Sequence, residues 1–333
     1  MASAAVLVMA TLLYAGGYDV PRALEALWQG SVGSRYAFLS STLVRAVPLL
    51  LTGTGVAIAF RAGVLNIGAE GQLLVGAAAS AAIALGWPTG GVLAVVVALL
   101  AGAVGGALWS GIASLLRTRY GVLEVISTIL LNFVALFLVS WLVRGPLQEP
   151  THAYPQTVAI ADGTHLARFA GMGRLHVGIV IALGAALTAG WAMRHTAAGF
   201  RLMAAGENPA AAESAGQIDV RRVTSVAFLV SGALAGLAGG CEVLGVTFAL
   251  YENISPGYGF TAIAVALLAR LDPWVVIPSA LLFAALESGA SAMQRDAGVP
   301  ATVVTVLEAL LILAVLIAQA RRTRATADQP VAA

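Results

Sequence analysis

The sequence predicts an all-α, polytopic membrane protein of about ten transmembrane helices, and three observations lead there. Apolar residues are 59% of the 333, and adding the 37 glycines brings the figure to about 70%, against roughly 45–50% in soluble domains. Charged residues are only 10%, where about 25% is usual. The charges gather between apolar runs of close to 20 residues, the length that crosses a hydrocarbon core of about 30 Å.

Composition also excludes chemistry. All 18 basic residues are arginine, so a G-x-x-x-x-G-K-[ST] phosphate loop, which needs its lysine to reach the phosphates, is absent. Any use of ATP must come from a partner. The single cysteine, Cys241, rules out an intrachain disulfide, and the four histidines show no H-E-x-x-H or close pairing, so no metal site is expected. A net charge of +2 spread over separate loops argues against nucleic-acid binding.

The first run, Ala4 to Gly17, is short and lacks a charged leader region and a clear cleavage site, so it reads as a trimmed span rather than a signal peptide. The second, Ala37 to Phe60, contains Arg45 and Pro48; a proline is tolerated where neighbouring helices re-satisfy the freed carbonyl. Phe60 to Gln72, FRAGVLNIGAEGQ, then places Arg61, Asn66, Glu70 and Gln72 between two apolar runs. An isolated charge at the bilayer centre costs about 2.5–3.5 kcal/mol on insertion scales, so such groups face a bundle interior or a water-filled path. Gly63, Gly68 and Gly71 weaken a helix by roughly 1 kcal/mol each relative to alanine. Two readings are open: a discontinuous segment at membrane depth, as in transporter sites, or a turn at the membrane edge between hairpinned helices.

The third span runs from Asn66 to Leu85, and the fourth from Gly91 to Leu116, rich in small residues that permit close helix approach. In the fifth, Val122 to Val143, Glu124, Thr128 and Asn132 recur every four residues and form one polar stripe. The stripe either bonds to neighbouring helices or lines a pore. A proline-containing loop, 144–174, is long enough to receive a soluble partner. The sixth span is Leu175 to Met193. Within the following polar segment, 194–222, Asn208 reads as a helix cap with Pro209 at the first helical position and Gly216 as a stop. Spans seven to ten follow as Val223 to Leu244, Tyr258 to Leu268, Trp274 to Met293 and Pro300 to Ala318, with a polar tail over 320–333. Glu287, Ser291 and Gln294 form a further stripe, as do Thr302, Thr305 and Glu308. The irregular stretch Thr247 to Gly259 suits the mouth of a water-filled path.

With both ends inside, Arg61, Arg117, Arg119, Arg194, Arg201, Arg221, Arg222, Arg270, Arg321, Arg322 and Arg324 fall on the cytoplasmic side. Arg22, Arg35, Arg144, Arg168, Arg174 and Arg295 fall outside, a bias that fits this orientation. The 194–222 segment is then cytoplasmic and the 144–174 loop external.

FRAGVLNIGAEGQ, followed about 140 residues later by GENPAAAESAG, closely resembles the permease subunits of bacterial ABC importers for nucleosides and simple sugars, in the larger group that includes ribose and branched-chain amino acid permeases. The NIGAEGQ form is similar to the first of two permeases in purine-nucleoside importers. The resemblance covers nearly the whole chain and implies a single transmembrane permease domain over 1–333, with the ABC importer permease fold of the ribose/nucleoside type. It implies a second permease subunit, an ABC ATPase holding ATP and magnesium on the cytoplasmic side, and a solute-binding lipoprotein or periplasmic protein outside. It makes 194–222 a coupling loop. Gly206, Asn208, Pro209, Ala211, Ala212 and Gly216 match the coupling motif, with Arg201, Glu207 and Glu213 beside it; Met203 and the extra Gln217 depart from it. The solute path is expected along Asn66, Glu70, Gln72, Glu124, Thr128, Asn132 and Glu287. The expected activity is alternating access, with no cofactor in this chain and no chemistry on the solute. A ribose or other sugar permease is the alternative solute class, and an ion-coupled carrier using the buried glutamates is a competing mechanism.

Overall fold

The computed structural model describes residues 9–11, 13–216, 218–300, 302, 303, 305, 306, 309 and 310. Residues 4–8 and 12 of the expected first span, most of the expected tenth span, Glu308, Gln217 and the tail lie outside these residues. The described chain is helical, with no β-strand and two isolated bridges among the described residues. Its longer helices are α1 (Val20–Ser31), α2 (Leu43–Arg61), α3 (Ala69–Leu85), α4 (Val92–Tyr120), α5 (Glu124–Arg144), α6 (Gly178–His195), α7 (Ala197–Glu207), α8 (Pro209–Gly216), α9 (Val220–Glu242), α10 (Tyr258–Leu268) and α11 (Pro273–Ala297), with short helical turns at Arg35–Ala37, Phe38–Thr42, Asp162–Thr164 and Val243–Thr247. Five helical stretches among the described residues are long and apolar enough to cross a membrane: Arg35–Arg61, Val92–Tyr120, Glu124–Arg144, Val220–Thr247 and Pro273–Ala297. Helices α3 and α10 are apolar but shorter. The chain is therefore a multi-pass membrane protein.

Boundaries move where a side chain or a glycine dictates it. Helix α4 runs four residues past the expected Leu116 and stops at Gly121, whose φ of +66° lets its N–H reach the Arg117 carbonyl. Helix α9 starts earlier than expected because Asp219 caps it, its Oδ1 accepting from the Arg222 N–H at 2.9 Å. Pro48 and Pro278 both sit inside helices.

The chain divides into two compact units, one drawn from Met1–Arg45 and Leu281–Ala333, the other Ala46–Ala280. In the first, Leu13, Ala23, Ala26 and Met293 form a small apolar core, and Arg45 donates to the hydroxyls of Ser288 and Ser291 at 3.1 Å each. The second unit is built on α3, α4 and α9. Gly76 of α3, Gly106 of α4 and Gly236 of α9 meet backbone to backbone, so closely that a Cβ on Gly236 would overlap the Gly102 carbonyl. Packing at that distance requires glycine in both partners and gains dispersion contact along the full helix lengths. The outward faces of α4 and α5 remain apolar and uncovered, with Leu100, Leu108, Phe133, Phe137 and Trp141 exposed.

The long loop 144–174 is anchored. The Thr157 and Leu166 N–H groups donate to the Leu250 and Leu244 carbonyls at 2.8 Å each, and the Ile160 N–H to Phe248 at 2.9 Å. The His165 ring stacks on Phe248 at 4.0 Å, and the Arg168 guanidinium lies 5.1 Å from the same ring. These bonds satisfy backbone groups at and just past the π-helical turn Val243–Thr247 that follows α9.

Candidate functional site

Helix α2 ends at Arg61, the chain turns at Gly63 with φ +75°, and α3 begins at Ala69. The break between them is buried: Asn66 is fully enclosed and Gln72 is 1% exposed. Asn66 is saturated. Its Nδ2 donates to Gln72 Oε1 and to Ser231 Oγ on α9, each at 2.9 Å, and its Oδ1 accepts from the Gly68 N–H at 3.1 Å and from Gln72 Nε2 at 2.9 Å. A helix start leaves its first N–H groups without intrahelical partners, and a broken helix adds orphan carbonyls. Asn132, reaching across from α5, supplies both: its Oδ1 accepts from the Gly71 N–H at 2.8 Å and its Nδ2 donates to the Ile67 carbonyl at 2.9 Å.

Glu70 sits in the first turn of α3, where the helix dipole favours a carboxylate. Its Oε2 accepts from the Gly259 N–H at 2.6 Å, at the start of α10. One carboxylate thus joins two helix N-termini that approach so closely that a Cβ on Gly259 would overlap the Glu70 backbone.

Of the stripe on α5, Asn132 joins this cluster, while Thr128 donates to the carbonyl of Glu124 on its own helix at 2.6 Å and packs beside Gly68. Glu124 faces Arg117 at 3.6 Å across the Gly121 turn. Glu287 belongs to the first unit, where its carbonyl accepts from the Ser291 hydroxyl at 3.0 Å.

The segment expected to hold one short helix holds two. Thr196, whose side chain accepts from the Gly199 N–H at 3.1 Å, caps α7. Asn208 alone separates α7 from α8, and its Oδ1 accepts from the Ala211 N–H at 3.0 Å, with Pro209 opening the helix. Glu207, Asn208, Pro209 and Glu213 are exposed, whereas Ala212 is buried and its carbonyl accepts from the Ile218 N–H at 3.1 Å. Gly206 is pressed against the break: a Cβ there would overlap the Arg61 carbonyl oxygen and come within 2.9 Å of the Gly63 nitrogen. Arg201 is exposed and lines a groove between α6 and α9.

At the other end of α5, Arg144 grips Glu252 with two hydrogen bonds, at 2.6 and 2.7 Å, and Ser140 donates to the same carboxylate. The Arg144 guanidinium, with help from Ser140, holds the Glu252 carboxyl down at about 2. Among the described residues, no three metal-ligating side chains gather.

The profile of the branched-chain amino acid transport system / permease component family matches residues 38–319. The chain belongs to this family. It is 37% identical over 320 residues to the glucose ABC transporter permease protein TsgB13 of Haloferax volcanii, covering 93% of this chain and 84% of that protein. It is 36% identical over 308 residues to the guanosine ABC transporter permease protein NupP of Bacillus subtilis, covering 91% and 88%. A second B. subtilis protein, the guanosine ABC transporter permease protein NupQ, is 27% identical over 260 residues, covering 74% and 80%. No solved structure is significantly similar to the chain. The contacts of Thr196, Ser231 and Gly259 are ones the sequence alone does not announce, apart from the local signal Thr196-x-x-Gly199.

Proposed function

We infer that this family member is the membrane-crossing permease subunit of an ATP-driven importer for a nucleoside, located in the cytoplasmic membrane. The observation behind this reading is the seat of Gly206 on Arg61 and Gly63, because it joins the exposed α7–α8 turn to the buried break. The ATPase docks on the exposed Glu207, Asn208, Pro209 and Glu213, on the helix that Ala212 seats and Gly216 ends, with Arg201 about two turns before them. Its closure on ATP and magnesium moves α8 as a lever, and Gly206 transmits that motion to the end of α2. Asn66, Glu70, Gln72 and Asn132 frame the solute path by holding the break, and Glu124 and Thr128 offer it a further carboxyl and hydroxyl; Glu287, in the other unit, is a separate candidate contact for the solute. This chain binds no nucleotide, performs no chemistry and crosses the membrane about ten times.

The guanosine-named relatives NupP and NupQ support a nucleoside and, being two permeases of one organism, a heterodimer. The uncovered apolar faces of α4 and α5 offer a second permease or lipid a surface. A solute-binding lipoprotein delivers the ligand to the anchored external loop. The glucose-named TsgB13, at 37% identity, favours a sugar as the second reading. Uptake of labelled guanosine by cells with and without the gene, challenged with unlabelled nucleosides, glucose and ribose, decides between them. Loss of saturable guanosine uptake on deletion, with competition by nucleosides alone, supports the nucleoside; competition by glucose alone transfers the assignment to a sugar.

A further inference from the structure

A groove of about 1030 Å³ runs between α6 and α9 in the second unit. Ala185, Ala189 and Ala192 of α6 face Val223, Val226 and Val230 of α9 across it, with Ile58 at its floor. Alanines spaced by about one turn on α6 keep that wall low, which is what opens the trough. Along α9 the lining extends from Arg222 to Leu234, a rise of about 18 Å, close to half of a hydrocarbon core about 30 Å thick. The apolar trough therefore has the depth of one leaflet.

Its two ends differ. Arg201, Asp219 and Arg222 lie together at the end where α7 closes the groove. The only other polar lining residue, Thr188, donates to the Gly184 carbonyl of its own helix at 2.7 Å. Asp219 caps α9, and no ion pair of Arg201 or Arg222 is formed among the described residues. Two guanidiniums against one carboxylate leave that end cationic, at the mouth of an apolar trough of leaflet depth.

We propose that this groove is a binding site for an anionic phospholipid of the cytoplasmic leaflet, with its acyl chains between α6 and α9 and its phosphate on Arg201 and Arg222. The leaflet assignment rests on the proposed cytoplasmic placement of α7 and α8; lipid binding itself does not depend on solute or on transport. Guanidinium forks suit phosphate oxygens, and a zwitterionic headgroup would bring its own cation against them. A helix of a second permease would fill the trough but leave both arginines unmatched unless it carried an acidic end.

The test uses the chain assembled with its companion subunits in nanodiscs of mixed phosphatidylcholine and phosphatidylglycerol. Each lipid in turn carries a photoreactive group on its acyl chain, and the labelled peptides are mapped by mass spectrometry. Phosphatidylglycerol should label α6 and α9 roughly tenfold over phosphatidylcholine, while the outward face of α5 at Phe133 and Phe137 labels equally with both. Arg222→Gln should lower the preference about fivefold, Arg222→Lys should keep most of it, and Ala189→Trp should remove labelling of the groove but not of α5. Equal labelling of the groove by the two lipids, or a preference untouched by Arg222→Gln, would overturn the proposal. So would efficient cross-linking of Ala189→Cys to a second permease, which would make a protein the occupant. Absence of any solute uptake by the wild-type assembly, with labelling retained, would count against the transport reading and leave this one standing.

Discussion

Gly206, the penultimate residue of α7, rests on the carbonyl oxygen of Arg61, the last residue of α2. The two belong to the two segments most distinctive in the sequence, and their contact is backbone on backbone. No rotamer can absorb a displacement there, so motion of α7 passes directly to the start of the break.

Gly206→Ala tests this with a known sign. On an unhindered helix the change would stabilise by up to about 1 kcal/mol. Here the added methyl overlaps Arg61, and overpacking costs about 1–3 kcal/mol. The variant should insert normally, unfold at lower temperature, and move severalfold less solute per ATP hydrolysed in reconstituted importer. An unchanged ratio of uptake to hydrolysis would remove this contact from the coupling route.

Glu70 and Gly259 give a graded series. Glu70→Gln keeps an acceptor for the Gly259 N–H but loses the charge that two helix N-termini favour, a cost of about 0.3–1 kcal/mol for an exposed site and more when buried. Glu70→Ala strands a buried N–H, at about 1–3 kcal/mol. Thermal stability should fall in the order Glu, Gln, Ala, with the apparent solute affinity of the Gln variant near wild type. A large loss of affinity in Glu70→Gln at unchanged stability would assign the carboxylate to the solute instead.

Asn66 and Gln72 should behave as one unit. Asn66→Leu removes the partners of Gln72, Ser231 and the Gly68 N–H together. Gln72→Leu added to it should therefore cost much less than alone, with a coupling energy of about 0.5–3 kcal/mol in a double-mutant cycle. Additive losses would mean the two amides act separately.

The clamp on Glu252 at the end of α5 predicts a pH dependence. Glu252 is held at about 2, below its ordinary 4.5, so the unfolded chain binds its proton first as pH falls. The clamp's contribution is whole above about 4.5 and fades as pH drops towards about 2. Wild type should melt above Glu252→Gln near neutral pH, and the gap should close through that window. A constant gap would show that the Arg144–Glu252 pair contributes through packing alone.

What the sequence could reveal was local. Hydropathy located the apolar helices, and Asn208-Pro209 announced α8, because a cap and a proline act within a few residues of themselves. Glycines and amides at 60–72 announced a break but not its anchors. Asn66 finds Ser231 165 positions away and Glu70 finds Gly259 189 positions away, so nothing periodic links them. Helix α7 went unread because its signal, one threonine, is common. The prolines of the 144–174 loop mark it as a surface, whereas its fixed path comes from backbone bonds to 244–250 that any side chains could accompany.

The exposed turn is where the partner ATPase should register a change that the membrane does not. Asn208 caps α8 through the Ala211 N–H, and removing such a cap costs about 0.5–2 kcal/mol of local helix stability. Glu213 lies exposed on the following turn, outside the packing that buries Ala212. Asn208→Trp should unravel the helix start and add bulk to its face, and Glu213→Arg should reverse the charge that a docking groove meets. Both should insert at wild-type levels and lose ATP-driven uptake; Glu213→Gln, which keeps the shape, should retain part of it. The measurement is uptake beside co-purification of the ATPase, because loss of both together places the defect at docking. Full uptake with Glu213→Arg and Asn208→Trp would move the docking surface off α8, leaving the contact of Gly206 with Arg61 as packing within the permease.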